Sequence, residues 1–335
     1  MADLILHVGL HRTGSTSVQH ALTASREKLR SIGVLYPHAG SIEVAHHGLS
    51  FALGEKTNSP WGPLPPLDQL LSELQTEINA SRCHTVLISS EDFRALCYEK
   101  KPAVVERTRQ FLALFSHVRI ICFLRHQIPY LDSAYRINVA WSGHRLELDF
   151  RPWVQRDCVR PWYDCQQIER FYRQFSPDIT VDFLSFAAAK QSGALVRYFY
   201  EQAGILDAYA GEVRVNESAS RLSILAMLAA NQRKLSLAVS RDQFDNWARL
   251  TFPENADSLF DEELLRFVDG RFRAENDTLA QRTGFNLNDE IGPFVATHRL
   301  AGASLTPAEQ SMLRHLLARD EVAVPAPRFS SDLNF

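Results

Sequence analysis

Between Gly9 and Ser17 the chain places one arginine, two glycines and four hydroxyl side chains within nine residues, Gly9-Leu10-His11-Arg12-Thr13-Gly14-Ser15-Thr16-Ser17. That combination suits the holding of a phosphate-like anion, because hydroxyls and backbone N–H groups donate while a guanidinium supplies charge. The flanking residues provide the frame. Leu4-Ile5-Leu6-His7-Val8 reads as a short buried strand, and Val18-Gln19-His20-Ala21-Leu22 begins a helical pattern. The first N–H groups of a helix have no intrahelical partner, and the helix dipole adds partial positive charge there. Gly9 and Gly14 stand five apart, as in the nucleotide-binding pattern G-x-x-x-x-G-K-[ST], and Thr16 falls where that pattern has its hydroxyl. Ser15 replaces the lysine of the pattern, and the cation sits inside the loop at Arg12.

A second anion-binding pair follows the apolar run Val118–Leu124. Arg125 stands at its end and Ser133 comes eight residues later. On a helix that spacing is about two turns, so a charged fork and a hydroxyl can converge on one anion. A transfer reaction also needs a base within hydrogen-bond reach of its acceptor. Glu91, which ends the run Thr85–Ser90, is the first candidate, and His47, beside His46 in a loop rich in Gly, Pro, Ser and His (38–66), is the second. Plainer readings stand beside these. Ser90 with Glu91-Asp92 also suits the start of a helix, a loop histidine is commonly only solvated, and Ser17 either bonds the anion or merely occupies the first helical turn. His7, on a strand, reads as core.

Several elements must position these residues. Helical patterns are expected at Arg26–Ser31 (closing the first helix, with Gly33 as C-cap), His46–Leu53, Leu67–Ala80, Val104–Phe115, Ile168–Phe175 and Gly193–Ala203. Strands are expected at 85–91, 118–124 and 179–184, with a short extended piece at 34–37. Strands with few polar positions alternating with helices indicate an α/β fold whose parallel sheet is covered on both faces. Ligands bind beyond the carboxyl ends of such strands, so the Arg12 loop, Glu91 and Arg125 are expected to share one crevice. Residues 140–170 read as an irregular aromatic insertion over that crevice. Beyond 216 the pattern is helical (222–239, 262–282, 307–317) without a convincing strand. The expected organisation is therefore a 1–215 α/β core carrying a nucleotide site and a 216–335 helical portion packed on it.

The chain has 335 residues, 45% of them hydrophobic and 22% charged, and a net charge of -3, the profile of an ordinary globular protein and not of a nucleic-acid coat. No apolar run approaches a membrane span, and the N-terminus lacks the basic start and long apolar stretch of a signal peptide. The five scattered cysteines form no C-x-x-C pattern and read as reduced cytosolic thiols without a zinc site.

Arg12-Thr13-Gly14-Ser15-Thr16-Ser17 resembles the 5′-phosphosulfate loop, [KR]-[TS]-G-[TS]-[TS], of sulfotransferases that use 3′-phosphoadenosine 5′-phosphosulfate (PAPS), and Arg125 with Ser133 is similar to their 3′-phosphate motif. More particularly, LHVGLHRTGSTSVQ and FLRHQIPYLDSAY resemble bacterial carbohydrate sulfotransferases; RVNESASRLSILAMLAANQ and AENDTLAQRTG do so more loosely. Many members have lysine where this chain has Arg12, which keeps the charge but is a poorer proton donor. The resemblance implies a cytoplasmic enzyme with a P-loop-type parallel sheet flanked by helices. PAPS would be its co-substrate, no metal would be needed, and a carbohydrate or other hydroxyl-bearing acceptor would be its partner, with no nucleic acid. Arg12 would serve the bridging oxygen and leaving phosphate, and the backbone from Thr13 to Thr16 would cradle the 5′ group. Arg214 and Asn216 would contact the nucleotide unless Asn216 or Ser218 serves as a cap, and Trp141, Trp153 and Trp162 would stack on sugar faces unless they are plain core. Two anion cradles without a metal suit PAPS. The alternatives are a P-loop kinase of a small molecule, against which the missing lysine counts, and a nucleotide-binding protein without catalysis. The sequence leaves the oligomeric state open.

Overall fold

A computed structural model describes residues 1–140, 145–157, 164–213, 219–233, 257–303, 307 and 309–311 of the 335-residue chain. The chain forms two compact units, each drawn from three segments. The first comprises Met1–Gln127, Arg160–Asn216 and Phe272–Glu290; the second comprises Ile128–Val159, Glu217–Arg271 and Ile291–Phe335.

In the first unit the strands, in chain order, are β1 (Asp3–His7), β2 (Val34–Leu35), β3 (Asn58–Ser59), β4 (Gly62–Pro63), β5 (Thr85–Ser89), β6 (Val118–Leu124) and β7 (Thr180–Ser185). Five of them make one sheet in the order β2-β5-β1-β6-β7, with every pairing parallel, while β3 and β4 form a separate hairpin. The helices begin with α1 (Ser15–Ala24), α2 (Arg26–Ser31), α3 (His47–Leu53), α4 (Leu67–Ser81), α5 (Phe93–Leu96) and α6 (Pro102–Leu112). Along the chain and into the second unit they continue with α7 (Gln127–Ala140) and α8 (Phe150–Asp157), return to the first with α9 (Gln166–Arg173), α10 (Phe186–Gln191) and α11 (Leu195–Gln202), and end with α12 (Arg221–Gln232) of the second unit and α13 (Glu262–Thr283), whose residues divide between the two. The architecture is α/β, a parallel central sheet flanked by helices, with a mainly helical C-terminal part.

Burial explains the strand sequences. Ile5, Leu87, Ile121 and Phe123 join Val18 and Leu22 of α1 and Val196, Phe199 and Tyr200 of α11 in one core. The alternate residues Leu4, Leu6, Val86, Ile88, Ile120 and Cys122 are buried as well. A sheet covered on both faces needs uninterrupted apolar strands, which is what β1, β5 and β6 supply. Because the strands run parallel and His7 pairs with both Ser89 and Ile121, the loop after β1, the residues after β5 and Arg125 after β6 emerge at one edge.

Residues 272–290 belong to this unit through polar contacts that the helical pattern does not reveal. The Glu290 carboxylate accepts from the His126 N–H at 3.0 Å and from the Ser185 hydroxyl at 3.4 Å. The side-chain amides of Gln127 and Asn276 exchange two hydrogen bonds of 3.0 Å. In the second unit, a buried ion pair organises α7: Asp132 accepts from Arg136 Nε at 2.6 Å, from Ser258 Oγ at 3.1 Å and from the Leu259 N–H at 2.8 Å. Removing either partner of such a pair would strand a buried charge.

Some local expectations need correction. Arg26–Ser31 does not close the first helix; it is a helix of its own, because the backbone leaves helical geometry at Ser25. Gly33 does act at its end, with φ 82° and its N–H bonded to the Arg30 carbonyl at 3.0 Å. Residues 140–170 are not irregular throughout, since they contain α8 and the start of α9. Trp153 is buried in the second unit against Tyr135 and Phe150, so its indole serves as core. Beyond 216 a short parallel pair, Asp257–Ser258 with Arg299–Leu300, joins the helices. Trp141, Trp162, Arg214, Asn216, Ser218 and most of 307–317 lie outside the described residues. No helix among the described residues is long and apolar enough to cross a membrane.

Two buried histidines tie β5 to its surroundings through Ser89. His7 Nδ1 lies 2.8 Å from Ser89 Oγ. The Ser89 N–H donates to His46 Nδ1 at 3.1 Å, and His46 Nε2 donates to the Pro37 carbonyl at 3.0 Å. Burial lowers both imidazoles to about 4, so both fold neutral. Between their ordinary pKa of about 6.5 and that value, the unfolded chain binds more protons than the folded one, and stability must fall as pH falls. Urea unfolding should show a loss of at most roughly 3 kcal/mol for each histidine between about pH 6.5 and 4. His46→Gln should flatten the slope; a wild-type profile already flat over this window would overturn the neutral-histidine assignment.

Candidate functional site

The loop after β1 is shaped by two close approaches. A Cβ placed on Gly9 would lie 2.2 Å from Ser15 Oγ and 3.3 Å from the Glu91 Cβ, so only glycine lets the backbone pass there undisturbed. Gly14 takes φ 77° at the N-terminal boundary of α1, where a side chain would be strained. Arg12 also adopts a positive φ, 67°, unusual for a residue with a side chain and a feature of constrained functional loops. Thr13 is buried and spends its hydroxyl on the Leu10 carbonyl at 2.6 Å, which fixes the turn.

What remains is a cluster of donors of the kind that an anion could complete. Among the described residues the N–H groups of Thr13, Gly14, Ser15 and Thr16 donate to no acceptor. The Ser15 hydroxyl is buried and lacks any hydrogen-bond partner, an expensive state for a group beside a helix N-terminus unless a ligand completes it. Charge comes from two sides. Arg12 belongs to the loop itself, and Arg125 reaches it from the end of β6, its Nη1 donating to the Arg12 carbonyl at 2.9 Å. The Arg125 guanidinium also lies over the Phe186 ring, 5.2 Å from its centroid. Burial and the charge of Arg125 together lower the Lys190 ammonium below its ordinary range. Ser17 is buried in the first turn of α1. Ser133 is buried on α7 and belongs to the second unit.

On the β5 side the two candidate bases enter one polar cluster. Glu91 Oε2 accepts from Gln19 Nε2 at 2.8 Å. His11, on the loop, lies between the carboxylates, with Nδ1 3.9 Å from Glu91 and Nε2 3.8 Å from Asp92. Asp92 Oδ2 in turn accepts from His47 Nδ1 at 2.7 Å, and Ser90 Oγ lies 3.0 Å from the same nitrogen. The Nδ1 proton leaves His47 Nε2 as the acceptor of the neutral ring, with no protein partner among the described residues. Burial alone would lower the His47 imidazole, but the bond to Asp92 and the charges of Glu91, Asp92 and Glu43 outweigh it and raise the group above its ordinary value. Burial likewise opposes ionisation of Asp92, yet the bond to His47 and the charge of His11 hold its carboxyl below the usual range. His46, by contrast, is locked into the backbone of β5 and takes no part.

No protein-family model matches this chain, and no curated protein matches it. The functional reading therefore rests on the site itself. Sequence reasoning passed over Asp92, His11 and Gln19. Asp92 directly follows Glu91, and a carboxylate pair after a strand was signal enough to treat both as site residues. Gln19 gave no signal, because its reach to Glu91 exists only once α1 packs beside β5. Among the described residues no three His, Cys, Asp or Glu side chains are arranged to hold a metal ion.

The His47–Asp92 pair is directly testable. Titration of the imidazoles by NMR should place His47 above about 6.5, the ordinary histidine value. Asp92→Asn should move it to lower pH, because the largest raising contribution is then gone. A His47 titration unchanged by that substitution would show that Asp92 does not orient it.

Proposed function

We propose that this chain is a PAPS-dependent sulfotransferase that moves a sulfuryl group to an acceptor hydroxyl, on a carbohydrate, and releases adenosine 3′,5′-bisphosphate. The observation that carries the reading is the orphaned, buried Ser15 hydroxyl inside a ring of undonated N–H groups, with arginine and not lysine as the loop's cation. The residues of the first unit fit a nucleotide phosphosulfate: the cradle supplies hydrogen bonds, Arg12 supplies charge where the leaving phosphate forms, and Arg125 is assigned to the 3′-phosphate by the sequence motif. When bound, PAPS supplies an activated sulfuryl group on a phosphate leaving group. The strand-loop-helix unit, and the sheet order β2-β5-β1-β6-β7 around it, support a P-loop-type fold.

The chain's own residues then have three tasks. The loop N–H groups and Arg12 stabilise charge as it collects on the leaving phosphate. The loop and Arg125 orient the nucleotide, so positioning provides much of the rate. His47, with its proton on Nδ1 and its Nε2 open, accepts the proton of the attacking hydroxyl, while Asp92 holds the ring and stabilises the imidazolium. Glu91 ranks first by sequence, but its carboxylate is engaged by Gln19 and faces His11, so we assign it to holding the loop against β5. The proton acceptor is the histidine. Activity resting on neutral His47 should rise with pH through its raised pKa.

One observation favours a second reading. Glu91 and Asp92 follow β5, the strand paired directly with β1, where metal-dependent phosphoryl transferases carry an acidic partner for Mg²⁺. Calorimetry separates the two. Adenosine 3′,5′-bisphosphate should bind without Mg²⁺, and Arg12→Ala or Arg125→Ala should weaken it at least ~10-fold, the scale of a lost charge-assisted bond. Failure to bind it, with tight Mg-ATP binding instead, would sink the sulfotransferase reading. For the base, His47→Gln should lower turnover roughly 100-fold or more with bisphosphate binding retained, and Glu91→Gln should cost less. The opposite ranking would return the role to Glu91. Absence of turnover on any glycan despite bisphosphate binding would leave a nucleotide-binding protein.

A further inference from the structure

Trp61 is 48% exposed, yet its turn, its indole N–H and one ring face are all engaged. It occupies the two-residue turn Pro60–Trp61 between β3 and β4, where Ser59 pairs with Gly62. The Ser59 hydroxyl fixes that turn from inside, accepting from the Trp61 N–H at 3.1 Å and donating to the Gly62 carbonyl at 3.0 Å. The indole N–H donates to Glu43 Oε1 at 3.1 Å. The ring lies nearly parallel to the His47 imidazole, with centroids 5.3 Å apart and planes at 11°. One indole face is thus laid on the base and its polar edge is tied to a carboxylate, while about half of the residue stays open to solvent. Leaving a large apolar surface open while fixing its orientation is costly for a fold and useful for a ligand.

We propose that Trp61 is the stacking platform for the acceptor, and that the acceptor is an uncharged sugar. The inference rests on the sulfuryl-transfer reading for the chemistry and adds the substrate's class to it. The flat apolar face of a pyranose matches an exposed indole, and an acceptor held on Trp61 would extend past the edge of the indole to the His47 imidazole. The preference for a neutral ring follows from the neighbours: Glu43 accepts from the indole N–H and Asp92 from His47 Nδ1, so carboxylates border the platform on both sides, with Lys56 the cation nearby over the Phe51 ring. A uronate or an already sulfated sugar would meet like charges without the arginines that serve the nucleotide.

The test uses the 335-residue chain and calorimetry against a panel of neutral oligosaccharides and their uronate counterparts, with and without adenosine 3′,5′-bisphosphate. At least one neutral member should bind, about ten-fold or more tighter than its uronate form, and Trp61→Ala should weaken it about ten-fold while Trp61→Phe restores most of the affinity. Bisphosphate binding should be the same in all three proteins, which shows that the variants fold. No neutral sugar bound, equal affinity for uronates, or indifference to Trp61→Ala would each overturn the proposal. Because sugar binding is read without sulfuryl transfer, its outcome is independent of the nucleotide experiment. A Trp61-dependent sugar site in a chain that ignores the bisphosphate would retain the platform and remove the sulfotransferase.

Discussion

A chain that passes within seven residues from a buried strand into a buried helix leaves N–H groups that the polypeptide itself cannot satisfy. Here that constraint falls between His7 and Ser15, at the centre of the sheet, and the site in the first unit follows from it. Gly9 lets Ser15 and Glu91 close on the loop from both sides, Thr13 spends its hydroxyl on the turn, and Gly14 starts α1 in a left-handed conformation. The donors left over all belong to one short stretch. An anion bound there would accept from these donors and give the buried Ser15 hydroxyl a partner as well.

The surroundings divide by charge. On the β6 side stand Arg125 and, farther along the chain, Lys190; on the β5 side stand Glu91 and Asp92, with His11 between them and His47 beyond. This polarity suits a transfer reaction, in which negative charge collects on the leaving group and a proton departs from the acceptor. It also explains why the histidines behave differently. His7 and His46 are held neutral by burial and backbone contacts, while His47 faces three carboxylates and rises.

Much of the frame was legible in the sequence because its signals are local. The apolar runs of β1, β5 and β6 have too few polar positions for anything but a doubly covered sheet, and the glycines around Arg12 could mark only a tight turn. The misread segments are those whose stability comes from distant partners. Trp153 stood open between a sugar platform and plain core, and its packing against Tyr135 and Phe150 decides for core. The segment 272–290 carries an ordinary helical pattern, and the bonds from Glu290 to His126 and Ser185 that attach it to the sheet unit span more than a hundred residues.

The sequence by itself determined which groups are available: a glycine-bounded hydroxyl loop with arginine for lysine, a second arginine at a strand end, and a carboxylate and a histidine as candidate bases. These are matters of residue type and short spacing, which backbone geometry alone converts into structure. Tertiary structure decided how those groups combine. Parallel pairing set β5 and β6 on either side of β1, and that brought Arg125 onto the Arg12 carbonyl and His11 between two carboxylates. Long-range packing chose Asp92 as the partner of His47, retired His46 into the core, and laid Trp61 on the imidazole. Hydrogen bonds between residues dozens of positions apart depend on which surfaces the folded core brings together, and no local pattern encodes that.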